Sequence, residues 1–187
     1  MPEADAKPRV RFRAPTAKDG KRVWEMVHEA GTLDRNSAYL YILLCDQFSE
    51  TCAIAEMEGE DGSMEAVGFL TGLIPPKKPD TFFVWQVATL PAARGQGVAG
   101  RMIREILSRP VCSEVNHLEA TVGPSNTASD RLFRGFARRV EAEVVVSEGY
   151  PEDVFPQPDT STVETHAHEA EPLYRIGPFT PLSRAAS

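Results

Sequence analysis

Two stretches of this 187-residue chain carry groups in arrangements that chemistry can use. In the first, Arg94-Gly95-Gln96-Gly97-Val98-Ala99-Gly100 follows a β-branched and aromatic run and opens an amphipathic helix. A strand that feeds a glycine-rich turn into a helix makes an anion site. Unpaired N–H groups and the positive end of the helix dipole converge there. Three glycines let the backbone approach a phosphate closely, and Arg94 and Arg101 add fixed positive charge. The turn is not a P-loop, because Gly-Lys-Ser/Thr is missing from it. In the second stretch, Asp34, Arg35, Asn36, Ser37, Tyr39 and Tyr41 crowd the start of the segment Leu33 to Phe48. They serve either as caps and a solvated helix face or as the wall of a polar pocket, in which Asp34 suits a cationic ligand.

Such groups need elements to hold them. Hydrophobic periodicity places a short strand at Val10 to Arg13, then a helix started by Thr16 and Asp19 that buries Val23, Trp24 and Val27 and stops at Gly31. A second helix, capped near Asn36 or Ser37, turns Leu40, Leu43 and Leu44 inward. Thr51 to Met57 and Ala66 to Ile74 pair as a hairpin about the acidic turn Glu58 to Ser63. The strand from Thr81 leads through the glycine turn to a helix with Met102, Ile103, Ile106 and Leu107 on its buried side. Val115 to Val122 is a strand bearing Glu119 and Thr121, and Ser125 or Asn126 caps a helix through Leu132, Phe133 and Phe136. Val144 to Val146 and Leu173 to Ile176 read as final strands.

The order β-α-α-β-β-β-α-β-α-β-β predicts an α/β (α+β) fold with a mixed, mostly antiparallel central sheet flanked by helices. One domain is expected over residues 10–179, after a disordered lead at 1–9 and before a tail at 180–187. The strands on either side of the third helix should run parallel. Residues 150–171 form a long acidic loop containing prolines and lacking periodicity, the kind that often binds or covers a ligand.

Charge is spread unevenly. The net charge of −7 disfavours general nucleic-acid binding, yet residues 94–139 hold eight arginines against four acids. Residues 141–172 hold nine acids and no lysine or arginine. A small polyanion at the glycine turn fits this pattern better than a nucleic acid. No apolar run approaches the ~18 residues that a membrane helix needs. The N-terminus lacks a signal-peptide core, and three widely spaced cysteines without a CxxC pair point to a reduced, cytoplasmic protein with no metal site.

The pattern Arg94-x-x-Gly97-x-Ala99 behind a mid-chain strand, with an Asn126-capped helix after the next strand, resembles the GNAT acyltransferase superfamily. A fuller resemblance runs from about Val10 to Phe179. It lies in LDRNSAYLYILL (33–44), DTFFVWQVA (80–88), LEATVGPSN (118–126), the pair His168-Glu169 and LYRIGPF (173–179). These strings resemble the diaminobutyrate acetyltransferases of ectoine biosynthesis. The resemblance implies a GNAT fold, acetyl-CoA as co-substrate, no metal, and a cytoplasmic homodimer. It further implies acetylation of the 4-amino group of L-2,4-diaminobutyrate, whose product another enzyme cyclises to ectoine. On that resemblance, Arg94, Gly95, Gln96, Gly97, Val98, Ala99 and Gly100 bind the pyrophosphate of the cofactor. The backbone of Val87, Ala88 and Thr89 binds the pantetheine arm, flanked by Asn126 and Phe133.

A diamino acid carries two ammonium groups and a carboxylate. Asp34 and Glu119 suit the ammonium groups, and Arg35, Asn36, Ser37 and Tyr39 suit the carboxylate. Trp85 offers an aromatic face, and Tyr41, Gln86 and Thr121 complete a polar wall. The attacking amine must first lose a proton that a lysine-like ammonium holds to pH ~10.4. Glu119, Asp34 and His168 are the candidate bases, with His168 reaching in from the acidic loop. Many GNAT enzymes place a tyrosine where Phe133 stands, to protonate the leaving thiolate. Here Tyr39 or Tyr41 serves instead, or the thiolate leaves unassisted. A GNAT enzyme for another small amino acid or polyamine, and a non-catalytic acyl-CoA sensor, are the competing readings.

Overall fold

The computed structural model describes residues 9–31, 33–59, 61–156 and 168–182. Seven strands form one sheet: β1 Val10–Arg13, β2 Ala53–Glu58, β3 Met64–Leu73, β4 Thr81–Thr89, β5 His117–Thr121, β6 Val144–Tyr150 and β7 Glu171–Ile176. Four helices join them: α1 Gly20–Ala30, α2 Ala38–Gln47, α3 Val98–Leu107 and α4 Thr127–Arg139. The element order is the one that periodicity predicts, and the sheet is mixed. Among the described residues only β4 and β5 pair in parallel, across the α3 connection. The strand order β1-β2-β3-β4-β5-β7-β6 holds a point that chain order hides: β7 inserts between β5 and β6, antiparallel to both.

Alternation along the strands sends successive side chains to two cores. Ala53, Ala55, Phe82, Val84, Leu118 and Ala120 pack with Met102, Ile103 and Ile106 of α3 and with Phe133 and Phe136 of α4. Ile54 and Phe69 turn the other way, onto Val23, Met26 and Val27 of α1 and Tyr41 and Cys45 of α2. Each fully buried Val, Leu, Ile, Met or Phe among them contributes about 1.5–3 kcal/mol. On α2 the buried stripe is Tyr41, Leu44 and Cys45. Leu40 and Leu43, expected inward, are only partly covered.

Local rules fix the ends of the helices. The Asp19 carboxylate accepts from the Thr16 N–H at 2.7 Å and also pairs with Arg13, which opens a short turn before α1. Gly31 closes α1 in the left-handed conformation. Ser37 caps α2 and Asn126 caps α4, each side chain accepting an N–H three residues on. Arg109, 6% exposed, donates to the carbonyls of Ser49, Glu50 and Cys52, tying the end of α3 to the start of β2. No helix among the described residues is long and apolar enough to cross a membrane.

Candidate active site

Two irregularities in β4 create the site. Gln86 pairs with Thr71 of β3, and Val84 pairs with Gly72, so Trp85 is an extra residue with no partner: a β-bulge. Simple alternation would place Gln86 and Ala88 on the face of Phe82 and Val84. The bulge reverses that. Gln86 instead meets Tyr41 of α2, Ala88 packs on the α1–α2 core, and Val87 turns to the α3–α4 core. The second irregularity is a splay. β5 pairs with β4 only from Thr81 to Val84, so the β4 backbone beyond the bulge has no neighbour on that side.

A cleft of about 1010 Å³ opens through this gap. Trp85, Gln86, Val87, Thr121, Asn126 and Phe133 line its middle and donor-side wall, with Ser125, Thr127, Ala128 and Ser129 at the N-terminal end of α4. Asp34, His168, Glu169, Glu171, Tyr150 and Phe155 line the other end. Among the described residues the lining holds three carboxylates and one histidine, and neither lysine nor arginine.

The glycine turn sits where the free side of β4 leads. Gly97, at φ +68°, is the N-cap of α3, and a side chain there would be strained in the left-handed region. The Arg101 backbone N–H donates to the Gly97 carbonyl at 3.1 Å, so the N–H groups of Val98, Ala99 and Gly100 lie ahead of the first helical bond. This bare helix end fits a pyrophosphate. The spacing Gly95-x-Gly97-x-x-Gly100 also occurs in dinucleotide-binding turns, but there it opens an all-parallel βαβ unit. Here β4 has an antiparallel partner in β3, and a cleft leads away from its splayed end.

At the other end, the polar stretch of residues 34–41 divides into parts with different work. Asp34 lines the cleft with its side chain 76% exposed. Its backbone is held from behind, the Gln86 amide donating to the Asp34 carbonyl at 3.0 Å and the Tyr41 hydroxyl donating to Gln86 at 2.9 Å. Asn36 adds a longer contact to the same carbonyl. Tyr41, buried, and Asn36 support Asp34, Ser37 is spent on its cap, and none of the three lines the cleft. Arg35 and the 72% exposed Tyr39 also lie outside the lining.

His168 reaches Asp34 across the opening, Nε2 to Oδ2 at 3.2 Å, and its ring stacks on Phe155 at 3.9 Å. Its Nδ1 faces the Glu169 carbonyl at 2.9 Å. A carbonyl only accepts, so Nδ1 carries a proton, and Nε2 can donate to Asp34 only in the imidazolium. The Glu169 carbonyl first, and Asp34 after it, raise the His168 pKa against the opposing effect of burial.

Glu119 needs a correction. Strand alternation left it free to meet an amine, but its side chain is 4% exposed and it does not line the cleft. Lys78 donates to both of its oxygens at 2.8 and 2.9 Å, and Arg175, its cross-strand partner on β7, donates to one. Burial pushes its pKa up, the two cations outweigh that, and it stays ionised below the ordinary glutamate value. A carboxylate locked between cations is a poor base.

The carboxylate with base character is Glu171, which sequence reading passed over as the end of the long loop. Burial raises its pKa, opposed by a hydrogen bond from Thr121. It begins β7, opposite Tyr150 of β6, at the mouth of the cleft. Its only sequence signal was an acid placed just before the last strand. The three cysteines are excluded as nucleophiles, because burial holds Cys45 up near about 12 and Cys52 and Cys112 near about 11.

Residues 21–136 match the Acetyltransferase (GNAT) family. The chain belongs to that family. An L-2,4-diaminobutyric acid acetyltransferase of Marinococcus halophilus is 47% identical to it over 90% of each chain. The protein of the same name from Halalkalibacterium halodurans is 46% identical over 89% of this chain and 81% of its own. Among solved structures, the diaminobutyrate acetyltransferase EctA from Paenibacillus lautus, in complex with its substrate L-2,4-diaminobutyric acid and coenzyme A, is 42% identical. It superposes with a TM-score of 0.80 over 92% of this chain and 96% of its own. GNAT membership accounts for the sheet with its single parallel pair, the splay after Val84 and the bare α3 terminus. The expected α/β (α+β) GNAT fold and the expected acyltransferase class both hold. Among the described residues no cluster of His, Cys, Asp and Glu could hold a metal ion.

Proposed function

We propose that this GNAT enzyme moves the acetyl group of acetyl-CoA to the 4-amino group of L-2,4-diaminobutyrate, giving N4-acetyl-2,4-diaminobutyrate for ectoine synthesis. One observation carries the reading. The cleft joins a backbone-lined donor end to an acceptor end walled by Asp34, Glu171 and His168 beside Trp85. That end attracts a small molecule with two ammonium groups.

The thioester supplies an activated acetyl carbon when the donor is bound. Val98, Ala99 and Gly100 offer N–H groups to its pyrophosphate, with Arg94, Gly95, Gln96 and Gly97 shaping the turn. Val87 and the Thr89 N–H face the open side of β4 and would meet the pantetheine arm, with Asn126 and Phe133 beside it. Ala88 instead pairs with Phe69 of β3, and the Thr89 carbonyl accepts from Arg94. Asp34 takes an ammonium of the acceptor and gives up His168 to do so. Glu171, with its raised pKa, accepts the proton that the 4-ammonium must lose. The amine then attacks the thioester carbon, the C–S bond breaks, and the second amine proton goes to the departing CoA thiolate. The 2-amino group is the less basic of the two, so placement of the 4-nitrogen against the thioester sets the regiochemistry. With neither lysine nor arginine among the described lining residues, the Trp85 indole and the second amide N–H of Gln86 are left to meet the substrate carboxylate.

The test is thiol release from acetyl-CoA with and without L-2,4-diaminobutyrate, with NMR of the product to locate the acetyl group. Absence of amine-dependent release, with CoA still bound, would favour a non-catalytic sensor. Faster release with putrescine, ornithine or lysine would favour a different diamine, a reading that the acidic lining keeps in view.

We also infer a cytoplasmic homodimer. The buried, unpaired Cys45, Cys52 and Cys112 support a reducing compartment. The sheet edge at β6 exposes Val145, Val146 and Tyr150 and supports pairing with a second copy. Light scattering at micromolar concentration decides the second point, and a monomer of 20.6 kDa would refute it.

A further inference from the structure

Glu169 has a place in the cleft that the proposed chemistry does not use. Its carboxylate is hydrogen-bonded to the loop that joins β5 to α4. There Oε1 accepts from the Ser125 hydroxyl at 2.5 Å and from the Ser125 N–H at 3.3 Å. Ser125 immediately precedes Asn126, the N-cap of α4, and Thr127 to Ser129 of the first turn line the donor side of the cleft. The loop is shaped around this carboxylate. A β-carbon added to Gly123 would run into the Glu169 carboxylate, with Cδ at 3.0 Å and Cγ at 3.2 Å.

His168, one residue earlier, points to the opposite wall and meets Asp34. Two consecutive α-carbons lie only ~3.8 Å apart. One peptide unit therefore spans the cleft, with an acceptor contact on one side and a donor-wall contact on the other. We propose that Glu169 is a positioning residue, whose bond to Ser125 sets the distance between the acceptor groups Asp34 and His168 and the α4 end of the donor wall. The inference rests on the acetyltransferase reading above. A shift of about 1 Å between reacting partners can cost on the order of 100-fold in rate. Loss of the tie should therefore appear in kcat and leave the binding of either substrate largely alone.

The experiment compares Glu169→Ala, Glu169→Gln, Ser125→Ala, the double variant and Gly123→Ala, by kcat, by KM for diaminobutyrate and by the Kd of CoA from calorimetry. Glu169→Ala is expected to lower kcat by roughly 30–100-fold with both binding constants within about three-fold. Glu169→Gln keeps the oxygen that Ser125 donates to and should recover most of the rate. Ser125→Ala should weaken the same tie, and the double variant should be no worse than Glu169→Ala. Gly123→Ala should cost rate in the parent and nothing further in Glu169→Ala. A Gln variant as impaired as Ala would overturn the proposal, since Glu169 would then act by its charge on the substrate. Unchanged kcat in Glu169→Ala, or additive Ser125 and Glu169 effects, would overturn it as well. Hydrogen exchange at Ser125–Ser129 reads the tie without catalysis: faster exchange in Glu169→Ala is expected, and unchanged exchange refutes it. Failure of the parent enzyme to release thiol with diaminobutyrate would refute the functional reading instead, and the exchange result would still stand.

Discussion

The two ends of the cleft are built from different materials. The donor side is backbone: the free side of β4 after Val84 and the first turn of α4 line the cleft, while the N–H groups behind Gly97 lie outside its lining. The acceptor end is side chains: Asp34, His168 and Glu171 around Trp85. A backbone site recognises groups that every CoA thioester shares, and it tolerates most changes of side chain. A side-chain site recognises one molecule and loses it with a single substitution. The contrast predicts that acceptor-end variants separate sharply by role, whereas donor-end variants matter only where they disturb the backbone.

The largest effect belongs to Glu171→Gln. Loss of a general base lowers kcat on the order of 10²–10⁴-fold, measured by thiol release at saturating substrates. The base works only when ionised, and its pKa is raised. The parent kcat/KM should thus climb with pH through a limb above the ~4.3 of a free glutamate, and the variant should lack that limb. A parent limb at ordinary glutamate pH would remove Glu171 from the role. Next, Asp34→Asn should raise the KM for diaminobutyrate roughly 10–100-fold, the loss of a charge-assisted bond, with the KM for acetyl-CoA unchanged. A shift in the acetyl-CoA constant would break the division between the two ends.

At the donor end, Gly97→Ala forces a side chain into the left-handed region at a cost of about 1–2 kcal/mol. The expected reading is an acetyl-CoA KM about five- to ten-fold higher and an unmoved amine KM. Smallest in catalysis is Glu119→Gln, with kcat expected within about two-fold of the parent. Its effect is on stability, about 1–3 kcal/mol in urea unfolding, since Lys78 and Arg175 lose a charged partner. The folded pKa of Glu119 is depressed, so its stabilising contribution is present above the unfolded value of ~4.3 and fades as pH falls through the folded one. A large catalytic defect would return Glu119 to the chemistry.

Much of the architecture was legible because local rules carry it. The caps at Ser37 and Asn126, the stop at Gly31 and the buried stripe of α3 follow from a few neighbouring residues each. The acceptor end was read less well. Asp34, Trp85, Gln86, Thr121 and His168 were singled out and do line the cleft. Glu171 was missed and Glu119 was overvalued, and both errors have one cause. A carboxylate in a strand looks the same whether two cations or a substrate face it, and Lys78 and Arg175 lie 41 and 56 residues away in the chain.

By itself, then, the sequence determined the order of the elements, the anion-binding turn ahead of α3 and the family resemblance that narrows the acceptor. All of these depend on residues close together along the chain or on whole strings of them. Tertiary structure alone decided which carboxylate has a raised pKa and which is held ionised between two cations, because pKa follows from burial and from partners brought in from elsewhere. It also decided where Gln86 points. One unpaired residue, Trp85, reverses the alternation of β4 and turns Gln86 from the core to Tyr41, and that bulge exists only in the pairing of β4 with β3.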